Sequence, residues 1–373
     1  MKEAEQMKTV GLISAKYNSS MFGDLLSSRS LASLPYGGRY RLIDFALSNM
    51  ANSGITTVGV IAPYNSGSLV DHIGVGRPWS LDRKNGGLFI MPGSAYGLQS
   101  YGSRFLLRDI IKCRVFFEKE KSDYVIMAGS TDVWNIDFRP LIEQHEKSDK
   151  PVTMVYKKVP RGEDYFGYFL DIDEDGTVRA INENGYAWSN YFADCFIVDR
   201  EYMLDFMNWY DSLEYLDMIQ IFRENMDTTD IDSYEFKGYL GKIKNPADFL
   251  KVNQAMMDYD IRNEVFCNDE RPIFTKAQDE APVLHSPEAD VRNSVISAGC
   301  RIEGRVENSI IFRSVIVEKG AVVRNSVIMM HGRIGEGAVI DNVIADKYVT
   351  ISDGVKIYGG DGEPVVIGKG KTI

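Results

Sequence analysis

The sequence predicts an α/β fold built on a mostly parallel sheet, followed by a left-handed parallel β-helix. Three observations carry this reading. Short apolar runs alternate with helical stretches over residues 1–265, aliphatic residues recur at six-residue intervals after residue 290, and a polar stretch at 266–290 with three prolines separates the two textures. At 373 residues the chain is long for one domain, and two is the natural expectation.

In the first part, KTVGLIS (8–14) is an apolar run ending in small residues and reads as a buried first strand. Helical spacing of Leu42, Phe45, Ala46, Leu47 and Met50 follows, stopped by Asn52-Ser53-Gly54. TTVGVIA (56–62) is a second strand, 104–119 a helix, DYVIMAG (123–129) a third strand and PVTMVYKKV (151–159) a fourth. Strands alternating with helices imply a Rossmann-like sheet covered on both faces. Ligands on such sheets sit beyond the carboxyl ends of the strands, which directs attention to 14–31 and 128–137.

In the second part, Ile310, Ile316, Val322, Ile328, Ile334 and Ile340 are six residues apart, and Ile351 and Ile357 repeat the interval. A longer unit overlies it: NSVI (293–296), NSII (308–311), NSVI (325–328) and DNVI (341–344). Neither a helix nor a single strand has a period of six. A triangular coil with one inward aliphatic per face does. This phase places Ile328 and Ile334 in consecutive turns of one stacked column. An ordinary β-meander, with strands of varying length, would not hold such a phase.

Composition sets limits on function. Apolar residues make 44% and charged residues 25% of the chain, ordinary globular values, and the net charge of −11 argues against nucleic acid or an anionic membrane as bulk partners. Cys113, Cys195, Cys267 and Cys300 lie far apart without a CxxC or an adjacent His, so neither zinc nor a disulfide framework is expected. No long apolar run or signal core is present, and a cytoplasmic location is the expectation.

LPYGGRYRLIDFALSNMANSGI (34–55), VGVIAPYNSGSLVDHIGVGRPW (58–79), VIMAG (125–129) and YFGYFLDIDEDGTV (165–178), followed by a hexapeptide helix, resemble bacterial glucose-1-phosphate adenylyltransferases. The short β-helix and RPIFTK (271–276) are similar to the GlgD-type subunit, understood as a non-catalytic or weakly catalytic partner of the true enzyme. The resemblance implies a Rossmann-like nucleotidyltransferase domain over 1–265, a linker over 266–290 and the β-helix over 291–373.

Measured against that family, the residues that carry chemistry are missing. Adenylyl transfer needs backbone amides and cations around a triphosphate, and Mg²⁺ held by carboxylates. Where the family has GGxGxRLxxLT, this chain reads SAKYNSSMFGDLLSSRS (14–30) with a single glycine, Gly23, beside Asp24. The family lysine that follows aligns with Leu31, and the RGTADA-like stretch aligns with YGSRFL (101–106). The metal-binding Asp aligns with Ser130 in AGSTDVW (128–134), leaving Asp132 as a residual ligand two residues on. The second metal Asp falls in YLGKIK (239–244), at Lys242, and the sugar-side EKP is absent from AINENGYAWSNYF (180–192). No catalytic residue is therefore assigned. The resemblance implies no cofactor for this chain, with Mg²⁺ needed only by a catalytic partner.

Arg29, Arg39 and Arg41 cluster, and Arg29 and Arg41 match positions of the family's anionic effector site between the two domains, where guanidinium pairs bidentately with phosphate. Ser28 and Pro35 replace a basic residue and a His there. The alternative is that these arginines form salt bridges at a domain or subunit interface. His72 reads as a buried, satisfied histidine, His331 as a surface residue, and Trp79, Trp134, Trp188 and Trp209 as core and interface. Three functions stay open. One is a regulatory subunit that assembles with a catalytic adenylyltransferase, as a dimer by itself and with a phosphorylated effector. The second is an active nucleotidyltransferase using Asp132, and the third is a hexapeptide acyltransferase using His331.

Overall fold

The computed structural model describes residues 8–15, 20–94, 105–161, 167–183, 188–210, 216–360 and 362–373. The amino-terminal unit holds a nine-stranded sheet. Its strands are β1 (Thr9–Ser14), β2 (Thr57–Ala62), β3 (Gly87–Pro92), β4 (Tyr124–Gly129), β5 (Val152–Lys158), β6 (Tyr168–Ile172), β7 (Val178–Glu183), β8 (Asn190–Asp199) and β9 (Ile231–Glu235). β1 pairs in parallel with β2 and β4, and β2 with β3, as the alternation of strands and helices requires. The far half departs from a parallel sheet: β8 runs antiparallel to both β4 and β5. Strand direction is not encoded in a continuous apolar run such as YFADCFIV, which suits a buried strand of either sense. The expected helix over 104–119 is two, Leu107–Lys112 and Arg114–Lys119, parted at Cys113.

Two apolar clusters cover the faces of this sheet. One contains Val10, Leu12, Phe117, Met127 and Phe196; the other contains Ile13, Leu47, Met50, Val60 and Ile126. Their odd and even positions alternate along β1 and β4, as a sheet buried on both sides demands. Trp79 and Trp134 lie in the second cluster. Trp209 does not join the core: it is 63% exposed, edge-on to Tyr202.

The carboxyl-terminal unit is three parallel sheets of five short strands each, the left-handed β-helix. Its first strand is Leu284–His285, inside the stretch expected to be linker. Val322 pairs with Val339 and Val327 with Ile344, so the middle coils take seventeen residues, not eighteen; the coil before them takes fifteen, Val295 pairing with Ile310, and the last takes twenty-two, Val343 pairing with Val365. One side of the triangle is a residue short, and a strict period of six slips by one position per coil. Ile328, Ile334, Ile340 and Ile351 point into the coil as expected, but Ile316 and Val322 lie on its outside and Val317 and Val323 take the inward places. Ile328 and Ile334 also belong to neighbouring sides of one coil rather than to one column, since Ile328 stacks on Ile311 and Ile334 on Val317.

The short side turns at a column of asparagines. Asn293, Asn308, Asn325 and Asn342 all have φ between 40° and 57°, the left-handed region that Asn tolerates better than most residues. Asn293 Nδ2 donates to Asn308 Oδ1 at 3.0 Å and Asn308 Nδ2 to Asn325 Oδ1 at 2.6 Å, so the turn chemistry also ties successive coils.

The two units share a core. Ile310, Val327 and Ile344 face outward from their coils and pack with Phe22, Leu25, Leu31, Tyr36, Phe45, Phe249 and Met256 of the α/β unit. Ile310, fully buried, therefore owes its burial to the neighbouring domain.

Candidate functional site

The carboxyl ends of β1 and β4 open onto the region where a nucleotide would sit on such a sheet. Ser130, at the position of the family's metal-binding Asp, is buried and its hydroxyl donates to the Ser14 carbonyl at 2.9 Å. It closes the end of β1 and presents no anionic oxygen. Leu31, at the position of the family lysine, is fully buried in the interdomain cluster. The loop after β1 enters a 3₁₀ segment, Ser20–Leu26, whose Phe22, Leu25 and Leu26 are buried and whose Asp24 pairs with Lys371 at the end of the β-helix. Residues 16–19, where the glycine cradle would fall, the YGSR part of YGSRFL with Gly102, and 184–187 of the sugar-side stretch lie outside the described residues.

Asp132 and Lys242 do come together. Asp132–Val133 and Gly241–Lys242 form a two-residue antiparallel ladder in which Lys242 lies opposite Asp132. The Lys242 ammonium is 3.2 Å from Asp132 Oδ1, an ionic contact, and makes a shorter one to Asp194. It also lies 5.2 Å from the centre of the Tyr191 ring, close enough for a cation–π contribution. Asp194 was not singled out from the sequence. It sits in β8 with φ 48°, where the register against β5 shifts between Phe192 and Phe196. A bulge of this kind re-aims a side chain, and here it delivers a carboxylate beside Gly129 at the end of β4, where an added Cβ would lie 3.5 Å from Asp194 and 3.6 Å from Asp132 Oδ2. A lone Asp inside the apolar run YFADCFIV was the available signal.

These residues do not fit a Mg²⁺ site. Mg²⁺ demands near-octahedral oxygen ligands, whereas the two carboxylates here are bridged by an ammonium that occupies the place an ion would take. The pair of carboxylates more than neutralises Lys242, so its ammonium is committed to them and not to a triphosphate; a second ammonium, Lys244, lies 5.3 Å from the centre of the same Tyr191 ring. Burial pushes the nearby Cys195 thiol well up, with Asp132 adding to the effect, so it is no nucleophile.

The arginines separate into three environments. Arg29 is buried, and its Nη2 reaches Asp346 Oδ1 at 2.7 Å and Oδ2 at 2.5 Å, an ion pair between the α/β unit and the β-helix. Arg41 donates to the Ser68 carbonyl at 2.6 Å and the Ser68 hydroxyl at 2.8 Å, and burial lowers its pKa. Its backbone N–H donates to Asp44, whose other oxygen pairs with His72 Nε2 at 2.5 Å, so His72 is the buried, satisfied residue the sequence suggested. Arg39 is exposed with its guanidinium 5.4 Å from the Tyr40 ring centre. A lysine joins the first two. Lys347 is half-buried, and burial, with Arg41 and Arg29 nearby, pushes its amine down to about 8. Lys369 adds further repulsion. Four cations thus gather between the domains with Asp346 among them. His331 is exposed and stacks on Tyr348 at 4.9 Å.

Fold and cleft together define a nucleotidyl transferase unit with an appended hexapeptide helix. Residues 22–230 match the nucleotidyl transferase family model and residues 283–363 the GlmU-like C-terminal hexapeptide model. The chain belongs to the bacterial glucose-1-phosphate adenylyltransferase family of nucleotidyl transferases, whose members include GlgD. It is 31% identical to the glycogen biosynthesis protein GlgD of Bacillus subtilis (strain 168), over 93% of this chain and 92% of that one. It is 33% identical to GlgD of Geobacillus stearothermophilus over 85% and 83% of the two chains, and 29% identical to a glucose-1-phosphate adenylyltransferase of the same organism over 85% and 83%. None of the described helices is long and apolar enough to cross a membrane.

Proposed function

We propose that this chain is a non-catalytic or weakly catalytic regulatory subunit of a glucose-1-phosphate adenylyltransferase, acting in the cytoplasm and supporting ADP-glucose synthesis for glycogen through a catalytic partner. One observation carries the reading: in the cleft the Lys242 ammonium stands between Asp132 and Asp194, while Ser130 and Leu31 occupy places that need a carboxylate and a lysine. Phosphoryl chemistry is positioning and charge stabilisation, and among the described residues of this cleft no metal ligand set is found and Lys242 is spent on two carboxylates.

The interdomain cations give the proposal its regulatory half. Arg41 and Lys347, with Arg29 held by Asp346, form a cluster whose positive charges are incompletely matched, and a phosphorylated effector would relieve that repulsion. Binding that favours one arrangement of the assembly changes the partner's affinity by a coupling of typically about 1–3 kcal/mol.

The test is an activity assay of this chain by itself, of a catalytic homologue by itself, and of the two mixed, with sizing chromatography of each. Negligible ADP-glucose formation by this chain, a mixed oligomer and a shifted substrate or activator response are expected. Robust synthesis by the isolated chain, or a mixture behaving as the sum of its parts, refutes the proposal.

A further inference from the structure

The Asp132–Lys242–Asp194 triad does more than mark a loss. Three strands meet there: the short strand after β4 brings Asp132, its ladder partner brings Lys242, and the bulge of β8 brings Asp194. All three side chains are at least nine-tenths buried. Two buried carboxylates side by side repel each other, and the Lys242 ammonium between them offsets that repulsion. In addition, Lys242 donates to Asp132 Oδ2 at 3.5 Å, whereas the buried Asp132 Oδ1 accepts no hydrogen bond from the described residues. Its nearest charge is the ammonium at 3.2 Å, too poorly aligned to satisfy it. An oxygen of this kind is what a divalent ion satisfies and what a single tetrahedral ammonium, committed more closely to Asp194, serves poorly.

We infer that Lys242 is a tethered replacement for a divalent cation: its ammonium cross-links the three strands in the metal's stead, and the Asp132–Asp194 pair becomes a Mg²⁺ or Mn²⁺ site once that ammonium is removed. The lysine holds the cleft in shape without metal and excludes metal from it at the same time. Two carboxylates and water are a sufficient ligand set for Mg²⁺, which keeps several waters in most protein sites. Charge dictates the exchange. With the lysine present, a divalent ion entering would meet a neighbouring ammonium; with an uncharged side chain of similar length, it meets two unbalanced carboxylates. This deepens the reading of a non-catalytic subunit but is tested without any assay of activity or assembly, so the two can fail separately.

The experiment is Mn²⁺ titration of the full chain, followed by the electron paramagnetic resonance of free Mn²⁺, together with thermal melts in Mg²⁺ and Mn²⁺. Wild type and Asp132→Asn should bind Mn²⁺ alike, weakly. Lys242→Met should melt lower in metal-free buffer, gain one Mn²⁺ site at least about tenfold tighter than anything in wild type, and recover several degrees of melting temperature with either ion. Adding Asp132→Asn to Lys242→Met should abolish the gain. The triple variant with Asp194→Asn, in which all three groups are neutral, should fold without metal and bind none. That control separates loss of the site from loss of the fold. A wild-type Mn²⁺ site that depends on Asp132, or a Lys242→Met chain that neither binds Mn²⁺ more tightly nor is restored by it, overturns the inference.

Discussion

Arg29 offers the sharpest test of how the two domains are joined. Its guanidinium and the Asp346 carboxylate are 3% and 0% exposed, with contacts of 2.7 and 2.5 Å from one nitrogen to both oxygens. Removing one partner of a buried pair strands the other, at about 3–5 kcal/mol. Arg29→Met should fall at the lower end, because Asp346 still accepts the Lys347 backbone N–H at 2.7 Å and lies beside the Lys347 amine. Asp346→Leu should fall at the upper end, since it leaves Arg29, Arg41 and Lys347 facing one another with the carboxylate gone. The double variant Arg29→Met with Asp346→Leu should recover much of the loss, because apolar replacement of a whole buried pair is often neutral. If the chain unfolds as one unit, losses of this size lower the melting temperature by about 4–6 °C for a protein of this length. The assay is a double-mutant cycle in urea at low salt without added anions. Single variants melting with wild type would refute the argument. So would a double variant whose loss is the sum of the singles, since the two groups would then not interact. If Arg29 serves a free anion instead, Arg29→Met would leave the apo melt unchanged and abolish only stabilisation by added phosphate.

Ser130→Asp should not create ADP-glucose synthesis, because the lysine position and the phosphate loop are also altered and groups that act as a unit are strongly non-additive; turnover by that variant would show the cleft to be competent. Ile334→Asp buries an unpaired charge in a sealed coil and should cost more than about 4 kcal/mol, so a soluble variant melting at the parent temperature would sink the assigned phase. On folding, the Lys347 amine drops from 10.5 to about 8, so between those values the unfolded chain holds the extra proton. The penalty is complete below pH 8 and disappears as pH rises toward 10.5. Lys347→Met should therefore be more stable than wild type at pH 7, flatten that rise, and weaken stabilisation by phosphate. By calorimetry Mg²⁺–ATP should bind the wild-type chain no better than millimolar, and a micromolar, Mg²⁺-dependent site would contradict the reading of the cleft.

Periodicity revealed the architecture because both units repeat a simple burial pattern. What it missed has a common cause, the cost or gain of one residue at a turn. The tight asparagine corner shortens each coil and moves Val317 and Val323 inward in place of Ile316 and Val322. The bulge at Asp194 likewise turns one residue of an apolar strand toward the cleft. Neither slip alters composition, and both follow from backbone dihedrals that only the folded chain displays. Lys242 was legible as a position where a carboxylate should be, yet nothing in YLGKIK says that its side chain crosses to two acids more than forty residues away in sequence. The sequence placed Arg29, Arg39 and Arg41 in one cluster, but not their separate settings: Arg29 neutralised by Asp346 of the arriving β-helix, Arg41 bound to Ser68 and Arg39 exposed over Tyr40.

The outward aliphatics of the β-helix change what the polar stretch between the units can do. With Ile310, Val327 and Ile344 seated against Phe22, Leu31 and Phe45, the connecting segment has no freedom to act as a hinge. Forces applied at the far end of the coil are transmitted to the cleft as through a rigid lever. Leu31 and the buried residues of Ser20–Leu26 belong to the same packed cluster as the outward aliphatics, so the coil and the cleft floor are one continuous body. Cutting the chain in the stretch before Val283 would likewise yield no two independent pieces. Each half would carry a raw greasy face, and both would be expected to clump unless co-expressed and allowed to find each other again.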